Sequence, residues 1–256
     1  MKVVILAGGL GTRLSEETAK KPKPMVEIGN MPILWHIMKI YSYYGIDEFI
    51  ICCGYKSHII KEFFSNYQKK DTDSKVEIED ELIHITFSNK KSWKICLVDT
   101  GLKTMTGGRL KRVKKYIGND KEFCFTYGDG LSNINISSSI EFHKAHKKIA
   151  TIAAVHPPGR FGALEIKSNG FVESFKEKPE GDDSWINGGF FVLSKSVFNY
   201  IEGDNTFWER EPLENLAKEN QLVAYKHSDF WQPMDTLREK NILEKMWASN
   251  PIWKKW

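Results

Sequence analysis

The sequence predicts an α/β fold, a mostly parallel, Rossmann-like mixed sheet flanked by helices, with an inserted β-ribbon and an antiparallel part. Short apolar runs alternate with helical periods in the first half, as in βαβ units. Residues 68–93 interrupt that rhythm, and strands predicted after residue 157 follow an antiparallel pattern. With 256 residues, 41% of them hydrophobic, the chain suits one domain, 1–256, divided into parts 1–156 and 157–256.

The first elements have clear boundary signals. The apolar run "KVVILA" predicts a strand, and a loop leads to a helix over 32–44. Pro32 suits the first turn of that helix, and Gly45 follows its last apolar position. The run "EFIICCG" predicts a second strand, followed by a helix over 56–67.

The ribbon and the resumed parallel winding come next. The alternating "VEIEDELIHITF" within 68–93 predicts an edge ribbon, because one face of each strand is polar. We then expect a strand at "KICLVD", a basic helix over 109–117 and a strand at "EFCFTY" that stops at Gly128-Asp129-Gly130. A helix over 137–147 and the strand "TIAAVH" complete this part.

The part 157–256 begins with a predicted hairpin, "GALEIKSNGFVESF", that turns at residues 168–170. The run "GGFFVLS" predicts another strand. The last 50 or so residues are predicted to be helical around the strand "LVAYKH", and they end in the aromatic segment "MWASNPIWKKW".

Charge and cysteine content exclude several classes of protein. The chain has 37 Lys and Arg against 33 Asp and Glu, a net charge of +4, without one basic tract, so no nucleic-acid partner is expected. We expect no membrane span and no signal peptide, since the first apolar run is short and lacks a cleavage site. Four cysteines, all within predicted strands, indicate reduced core thiols and a cytoplasmic protein: Cys52, Cys53, Cys96 and Cys124. His143 and His146 are predicted to be surface residues of a helix rather than zinc ligands.

The loop "LAGGLGTRL" follows the first strand and is rich in glycine, which lets backbone N–H groups close around an anion. A dinucleotide-binding fingerprint would need glycine where Leu14 stands, and a P-loop would need Gly-Lys-Ser/Thr, which the segment lacks. Both of these phosphate-binding motifs are therefore excluded. Arg13 could then grip phosphate oxygens, although a plain turn with a surface arginine is the alternative. Lys23, stiffened between Pro22 and Pro24, indicates a second phosphate cation.

The segment "LAGGLGTRLSEETAKKPKPM" resembles the signature of the sugar-1-phosphate nucleotidyltransferases. The later motifs "TYGDG", "FKEKP", "INGGFFVLS" and "WQPMDT" follow in the family's order, so the resemblance covers most of the chain. Through "DTGLKTMTGGRLKR", "PPGRFGAL" and "FWQPMDTLRE", the sequence is most similar to the branch that makes CDP-glucose.

The resemblance implies roles for the loop and for two carboxylates. Arg13, Lys23 and Asp129 would be catalytic, and Asp129 and Asp235 would hold Mg²⁺. A turn aspartate is the alternative for Asp129, and a helix N-cap is the alternative for Asp235. The implied nucleotide-binding residues are Leu6, Ala7, Gly8, Gly9, Leu10, Gly11, Thr12, Arg13, Lys23, Thr104, Arg109 and Gly128.

Base and sugar recognition follow from the same resemblance. Arg109 and Thr104 would read cytosine, although Arg109 could instead simply open a basic surface helix. Uracil and thymine carry N3–H where cytosine accepts, so an arginine donor there would reject them. The sugar phosphate would be held by Glu177, Lys178, Asn187 and Gly188; a charged hairpin end followed by a bulge is the alternative.

These expectations define a Mg²⁺-dependent enzyme that joins CTP and glucose 1-phosphate, giving CDP-glucose and pyrophosphate for deoxysugars of bacterial surface polysaccharide such as O-antigen. The alternatives are an enzyme that uses UTP or dTTP, and a non-catalytic nucleotide-sugar-binding regulator. The segments "LSEET" and "WQPMDTLRE" differ from those of the uridylyl and thymidylyl branches and count against the first alternative. The resemblance implies a homo-oligomer and allows a hexamer, with aromatic residues of 68–93 and of the tail as candidates for self-association.

Overall fold

The computed structural model describes residues 1–89, 91–157, 163–168, 170–176 and 184–256, with the backbone alone at 163–166 and 175–176. Its strands are β1 (Val3–Leu6), β2 (Glu27–Ile28), β3 (Met31–Pro32), β4 (Glu48–Cys53), β5 (Lys75–Glu79), β6 (Leu82–Thr86), β7 (Ser92–Asp99), β8 (Glu122–Tyr127), β9 (Gly130–Ser132), β10 (Ala150–Val155), β11 (Ala163–Ile166), β12 (Val172–Lys176), β13 (Ile186–Ser194), β14 (Leu222–His227) and β15 (Trp231–Pro233). Its helices are α1 (Ser15–Thr18), α2 (Ile33–Tyr43), α3 (Ser57–Ser65), α4 (Thr106–Arg112), α5 (Lys114–Ile117), α6 (Ile136–His146), α7 (Glu211–Lys218) and α8 (Leu237–Ser249).

One sheet of nine strands organises the molecule, in the order β14-β10-β13-β8-β1-β4-β7-β6-β5. The four central strands β8, β1, β4 and β7 are parallel, and β13 is antiparallel to both of its neighbours. The predicted mixed α/β sheet is confirmed. From the second part, β13 and β14 join this sheet, while β11 pairs with β12 and β15 pairs with β9. Hydrophobic cores lie on both faces of the large sheet.

The inserted ribbon is present at the edge of the sheet, as predicted. Strands β5 and β6 form an antiparallel hairpin on β7, and β5 is the outermost strand. In β6, Ile83 and Ile85 are buried while Leu82 and Thr86 are exposed, which is the alternation read from the sequence. The hairpin β11–β12 also forms where it was predicted.

The basic helix begins three residues earlier than predicted, at Thr106, and breaks at Val113. Two glycines that normally disfavour helix lie in its first turn because other backbone passes close by. A Cβ at Gly108 would lie 2.5 Å from the carbonyl oxygen of Asp204. Arg109 therefore lies inside α4 with 4% exposure, and its interpretation as the opening residue of a surface helix is wrong.

The aromatic residues expected to serve self-association pack largely inside the subunit. Trp93 of the ribbon segment and Trp253 of the tail are each 1% exposed. Trp247 and Trp253 make edge-to-face contacts with the His36 ring, at centroid distances of 4.8 and 6.0 Å. The tail therefore closes over α2 and helps to hold α8 in place.

The polar groups of α6 also differ from expectation. His143 is buried, not a surface residue, and its two ring nitrogens lie 2.8 Å from Thr151 Oγ1 and 3.2 Å from Ser194 Oγ. His146 Nε2 shares the same Thr151 oxygen at 2.7 Å. These hydrogen bonds account for both side chains, and no cluster of three or more metal-ligating residues occurs in the part of the chain that the structure describes.

All four cysteines are buried and unpaired, as predicted. Burial raises the pKa of Cys53 to about 12, so this thiol is unreactive at neutral pH. Within the described ranges, no helix combines the length and the apolar composition needed to cross a bilayer.

His36 gives the fold a pH dependence that can be measured. It is fully buried and its Nε2 lies 2.8 Å from the carbonyl oxygen of Ile28, while burial lowers its pKa to about 4. The unfolded histidine, with a pKa of about 6.5, takes up a proton first as the pH falls. The free energy of unfolding is therefore unaffected by His36 well above pH 6.5 and falls as the pH drops below that value. At pH 5 we expect it to be about 2 kcal/mol lower than at neutral pH on account of this residue.

NMR titration of the His36 ring tests this prediction. Its resonances are expected to stay constant from pH 7 to 5 in the folded protein and to titrate in urea-unfolded protein, which is the control. A folded-state midpoint near pH 6.5 would show the prediction to be wrong.

Candidate active site

The candidate site lies where the carboxyl ends of β1 and β8 meet. Leu6 is paired with Tyr127, so the loops that follow these two strands leave the same edge of the sheet. A Cβ at Gly128 would lie 2.4 Å from the Leu6 carbonyl oxygen and 3.0 Å from Pro24 Cγ. Only glycine lets the Gly128-Asp129 turn approach the first loop so closely.

The glycine loop is held at both ends and exposed in between. Ala7 N–H donates to the carbonyl oxygen of Cys52, and the carbonyl oxygen of Gly8 accepts from Tyr55 N–H. Gly11 has a φ of +65°, and its carbonyl oxygen accepts a hydrogen bond from the Thr18 hydroxyl. The exposed residues between and after these anchors are Gly9, Leu10, Thr12 and Arg13. Because glycine has no side chain, the exposure of Gly9 is exposure of its backbone, so the middle of the loop is accessible to a ligand.

Lys23 is the buried cation of the site. It begins a turn of 3₁₀ helix directly after Pro22, and its side chain is only 9% exposed. Its Nζ donates to Asp129 Oδ2 at 2.7 Å and to Asp235 Oδ1 at 2.5 Å. Burial disfavours the charged ammonium, but the attraction of Asp129 and the hydrogen bonds to both carboxylates outweigh it and raise the pKa of Lys23.

Asp235 lies between two cations. Its other carboxylate oxygen accepts a hydrogen bond from Arg13 Nη1 at 2.8 Å. The short pair β9–β15 brings it there, because Met234 N–H donates to the Asp129 carbonyl oxygen at 2.8 Å. The structure thus brings together Arg13, Lys23, Asp129 and Asp235, all of which were predicted from the sequence.

The alternative that Asp235 caps a helix is wrong. Thr236 caps α8, since its hydroxyl accepts from Glu239 N–H and the Glu239 carboxylate accepts from Thr236 N–H. This capping box can be read from the sequence as Thr-Leu-Arg-Glu. The Asp235 carboxylate therefore has no capping role, and it accepts hydrogen bonds from Lys23 and Arg13 instead.

The donor set fits a divalent metal ion. Two carboxylates from separate loops converge on one small cation, the Lys23 ammonium. Mg²⁺ prefers such oxygen donors, few in number, with phosphate oxygens and water filling the remaining positions. Asp129 and Asp235 are the residues that would hold it.

Arg109 lies beneath the glycine loop. Its Nη1 donates to the Gly101 carbonyl oxygen at 2.7 Å and to Thr100 Oγ1 at 2.8 Å, and its Nη2 donates to the Leu102 carbonyl oxygen at 3.3 Å. Thr104, also predicted to contact the base, is 7% exposed in the same segment. The guanidinium therefore bonds residues 100–102 and packs closely against Gly8 of the glycine loop.

The opposite side of the site begins at β13, which is antiparallel to β8 and starts at the same edge of the sheet. Asn187 Nδ2 donates to Tyr127 Oη at 3.2 Å, and its Oδ1 accepts from Gly189 N–H at 2.8 Å. The Gly188 carbonyl oxygen accepts from Trp231 Nε1 at 2.7 Å. Glu177 and Lys178 lie outside the described residues.

Two polar residues at this edge were missed by the sequence analysis. Tyr127 donates to Glu209 Oε1 at 2.8 Å, and Thr106 donates to Glu209 Oε2. Tyr127 ends the predicted strand just before Gly128 and could have been found from that position. Glu209 stands in a loop without any periodic pattern, so the sequence has no signal for it.

This combination of a glycine loop, two cations and two carboxylates at the carboxyl ends of parallel strands defines a protein that acts on phosphorylated ligands. A family model described as nucleotidyl transferase matches residues 2–237. The chain belongs to the nucleotidyl transferase family, and the family resemblance stated above is confirmed.

Individual relatives narrow the comparison. The chain is 56% identical to a glucose-1-phosphate cytidylyltransferase of Salmonella typhimurium and 46% identical to a probable glucose-1-phosphate cytidylyltransferase of Bacillus subtilis, with each chain covered over 100% of its length. Among solved structures, HddC of Yersinia pseudotuberculosis complexed with GMP-PN is 25% identical, with a TM-score of 0.69 and coverage of 96% of this chain and 99% of that one.

The contact between Gly8 and Arg109 can be tested by two neighbouring substitutions. A Cβ at Gly8 would lie 2.1 Å from Arg109 Nη1, so Gly8→Ala forces the guanidinium away from buried acceptors. We expect a loss of about 1–3 kcal/mol in the free energy of unfolding, measured with urea. Gly9→Ala is the matched control, because a Cβ there meets nothing within 4 Å and should change stability little. Equal losses in both variants would contradict the packing described.

Proposed function

We propose that this protein transfers a cytidylyl group from CTP to α-D-glucose 1-phosphate, releasing pyrophosphate and forming CDP-glucose. The observation that carries the chemistry is the Lys23 ammonium, held at hydrogen-bond distance from two carboxylates beside the glycine loop. The choice of substrates is supported by full-length identity of 56% to a glucose-1-phosphate cytidylyltransferase.

The reaction needs orientation and charge neutralisation more than proton transfer. The nucleophile is a phosphate oxygen of the sugar phosphate, which is largely ionised at neutral pH because its second pKa is about 6. It attacks the α-phosphorus of CTP in line with the departing pyrophosphate. No general base is required, so positioning and electrostatic stabilisation carry the catalysis.

The chain's own groups divide this work. The loop of residues 6–12 holds the triphosphate through backbone N–H groups other than that of Ala7, which donates to Cys52, and Gly128 lets the second loop approach it. Arg13, whose side chain is 72% exposed, is accessible to the departing pyrophosphate. Lys23 neutralises charge at the α-phosphate, where negative charge is concentrated during transfer.

Mg²⁺ is the proposed cofactor, with Asp129 and Asp235 as its protein ligands. When bound, the ion would neutralise phosphate charge and help to align the reacting phosphates. The support is the convergence of these two carboxylates, together with membership of the family.

Arg109 and Thr104 are the proposed readers of cytosine. The Arg109 guanidinium lies directly beside Gly8 of the nucleotide loop. Its Nη1 and Nη2 already donate to acceptors of the chain, so its remaining N–H groups would serve the acceptor edge of cytosine. A base with N3–H would face these donors with its own donor and leave buried polar groups unpaired. The sugar phosphate is assigned to Glu177, Lys178, Asn187 and Gly188.

The cellular setting is proposed on the same basis. Four reduced, buried cysteines support a cytoplasmic protein. CDP-glucose would serve deoxysugar synthesis for surface polysaccharide such as O-antigen. A homo-oligomer remains our proposal from the family resemblance, with surfaces other than the buried tail tryptophans.

A pyrophosphate-release assay tests the proposed reaction. The protein is incubated with glucose 1-phosphate, Mg²⁺ and, separately, CTP, UTP, GTP, ATP or dTTP. We expect release with CTP at least tenfold faster than with any other triphosphate, since one mismatched polar contact costs about 1–3 kcal/mol. Release with UTP or dTTP at the CTP rate would favour the alternative substrates. No release from any of them would favour a non-catalytic nucleotide-sugar-binding regulator.

Asp129→Asn tests the carboxylate assignment. The amide keeps the shape but loses the charge, so we expect turnover to fall by about 10²–10³, as when one charge-stabilising group is removed from an active site. Asp120→Asn is a matched control, because Asp120 also accepts from a lysine, Lys2, and is similarly exposed, at 29% against 32%. Full Mg²⁺-dependent turnover of Asp129→Asn would exclude this role.

A further inference from the structure

We infer that Glu209 is a positioning residue for the sugar phosphate and acts on Asn187 through the hydroxyl of Tyr127. This inference rests on the proposed function, because Asn187 is assigned there to the sugar side of the site. Glu209 lies in the loop before α7, Tyr127 ends β8, and Asn187 lies near the start of β13.

The hydrogen bonds between these residues have one direction. Glu209 is a carboxylate and only accepts, so the Tyr127 hydroxyl donates to it at 2.8 Å. The same hydroxyl oxygen then accepts from Asn187 Nδ2 at 3.2 Å, while Asn187 Oδ1 accepts from Gly189 N–H. A flip of the Asn187 amide would break both of its bonds, so its orientation is set.

The Tyr127 ring has little freedom to move. Gly189 has a φ of +78°, and a Cβ there would lie 2.7 Å from Tyr127 Cδ2, so the backbone of β13 packs directly on the ring. The Phe125 and Phe191 rings lie at centroid distances of 6.1 and 5.9 Å. Burial also raises the pKa of Tyr127 well above its usual value, which keeps the hydroxyl a donor.

Glu209 is itself anchored on the base side of the site. Its second oxygen accepts from the hydroxyl of Thr106 at 2.6 Å, and Thr106 Oγ1 accepts from Trp208 N–H at 2.9 Å. Thr106 is the first residue of α4, the helix that carries Arg109. The Glu209 carboxylate therefore joins α4, on the base side, to Tyr127, whose hydroxyl bonds Asn187 on the sugar side.

The two sides depend on Glu209 unequally. Helix α4 is also held by backbone hydrogen bonds, since the N–H groups of Gly107 and Gly108 donate to the Thr206 carbonyl oxygen at 3.0 and 3.2 Å. The Tyr127 hydroxyl has no other acceptor among the hydrogen bonds of the described residues. Loss of the carboxylate should therefore disturb the sugar side and leave the nucleotide side largely intact.

Steady-state kinetics of Glu209→Gln and Tyr127→Phe test the inference. A glutamine amide cannot accept from both hydroxyls, and phenylalanine removes the link to Asn187. For each variant we expect the KM for glucose 1-phosphate to rise about tenfold, while the KM for CTP changes less than about twofold, the scale of one lost hydrogen bond. The double variant should match the single variants, because both remove the same chain of hydrogen bonds.

The matched controls are Glu219→Gln and Tyr200→Phe. Tyr200 donates at 2.5 Å to Glu219, the residue that follows α7, so the same chemical pair is broken. Neither side chain is among the hydrogen-bond partners of Asn187 in the part of the chain that the structure describes. These variants should keep both KM values. Three results would each overturn the inference. The KM for glucose 1-phosphate could stay unchanged in both test variants, it could rise equally in the control variants, or its increases in the two single variants could add in the double variant. Failure of the proposed function itself is distinguishable, since wild-type protein would then form no CDP-glucose.

Discussion

The candidate site depends on one buried ammonium. Lys23 is held between Asp129 and Asp235, residues that lie more than a hundred positions away in sequence, and each member compensates a charge that burial would otherwise penalise. The supporting structure serves this contact: two prolines stiffen the lysine segment, Gly128 admits the second loop, and the β9–β15 pair delivers Asp235. Under the proposed function, phosphate groups would bind the lysine and a metal ion would bind the carboxylates. Each group would then replace its present ion pair with a new partner of opposite charge.

Much of this arrangement was predictable from local sequence signals. Periodicity identified the parallel strands, the edge ribbon and the hairpin of the second part, because burial on one or both faces leaves a regular pattern. The residues at the ends of β1 and β8 were predictable too, since loops at the carboxyl edge of an α/β sheet commonly carry ligand groups. Lys23 and Arg13 stand in a short motif with a physical interpretation.

The remaining features depend on contacts between distant residues. The early start of α4 requires backbone of residues 204–206 against its glycines, and His143 is buried because Thr151 and Ser194 provide partners for its ring. The tail tryptophans surround His36 from another part of the chain. Composition shows these residue types but not their partners, so it predicted exposed or intersubunit roles for groups that the fold uses internally.

The position of β13 also has a consequence for synthesis on the ribosome. Along the chain, β10 is the next strand of the nine-stranded sheet after β8, yet the two are separated in that sheet by β13, which is translated later. Until β13 emerges, the nascent sheet has unpaired edges at both strands, and open edges promote aggregation. Asp235 emerges later still, after Lys23 and Asp129. A chain synthesised only as far as β10 therefore lacks both the strand that separates β8 from β10 in the sheet and the second carboxylate that bonds Lys23.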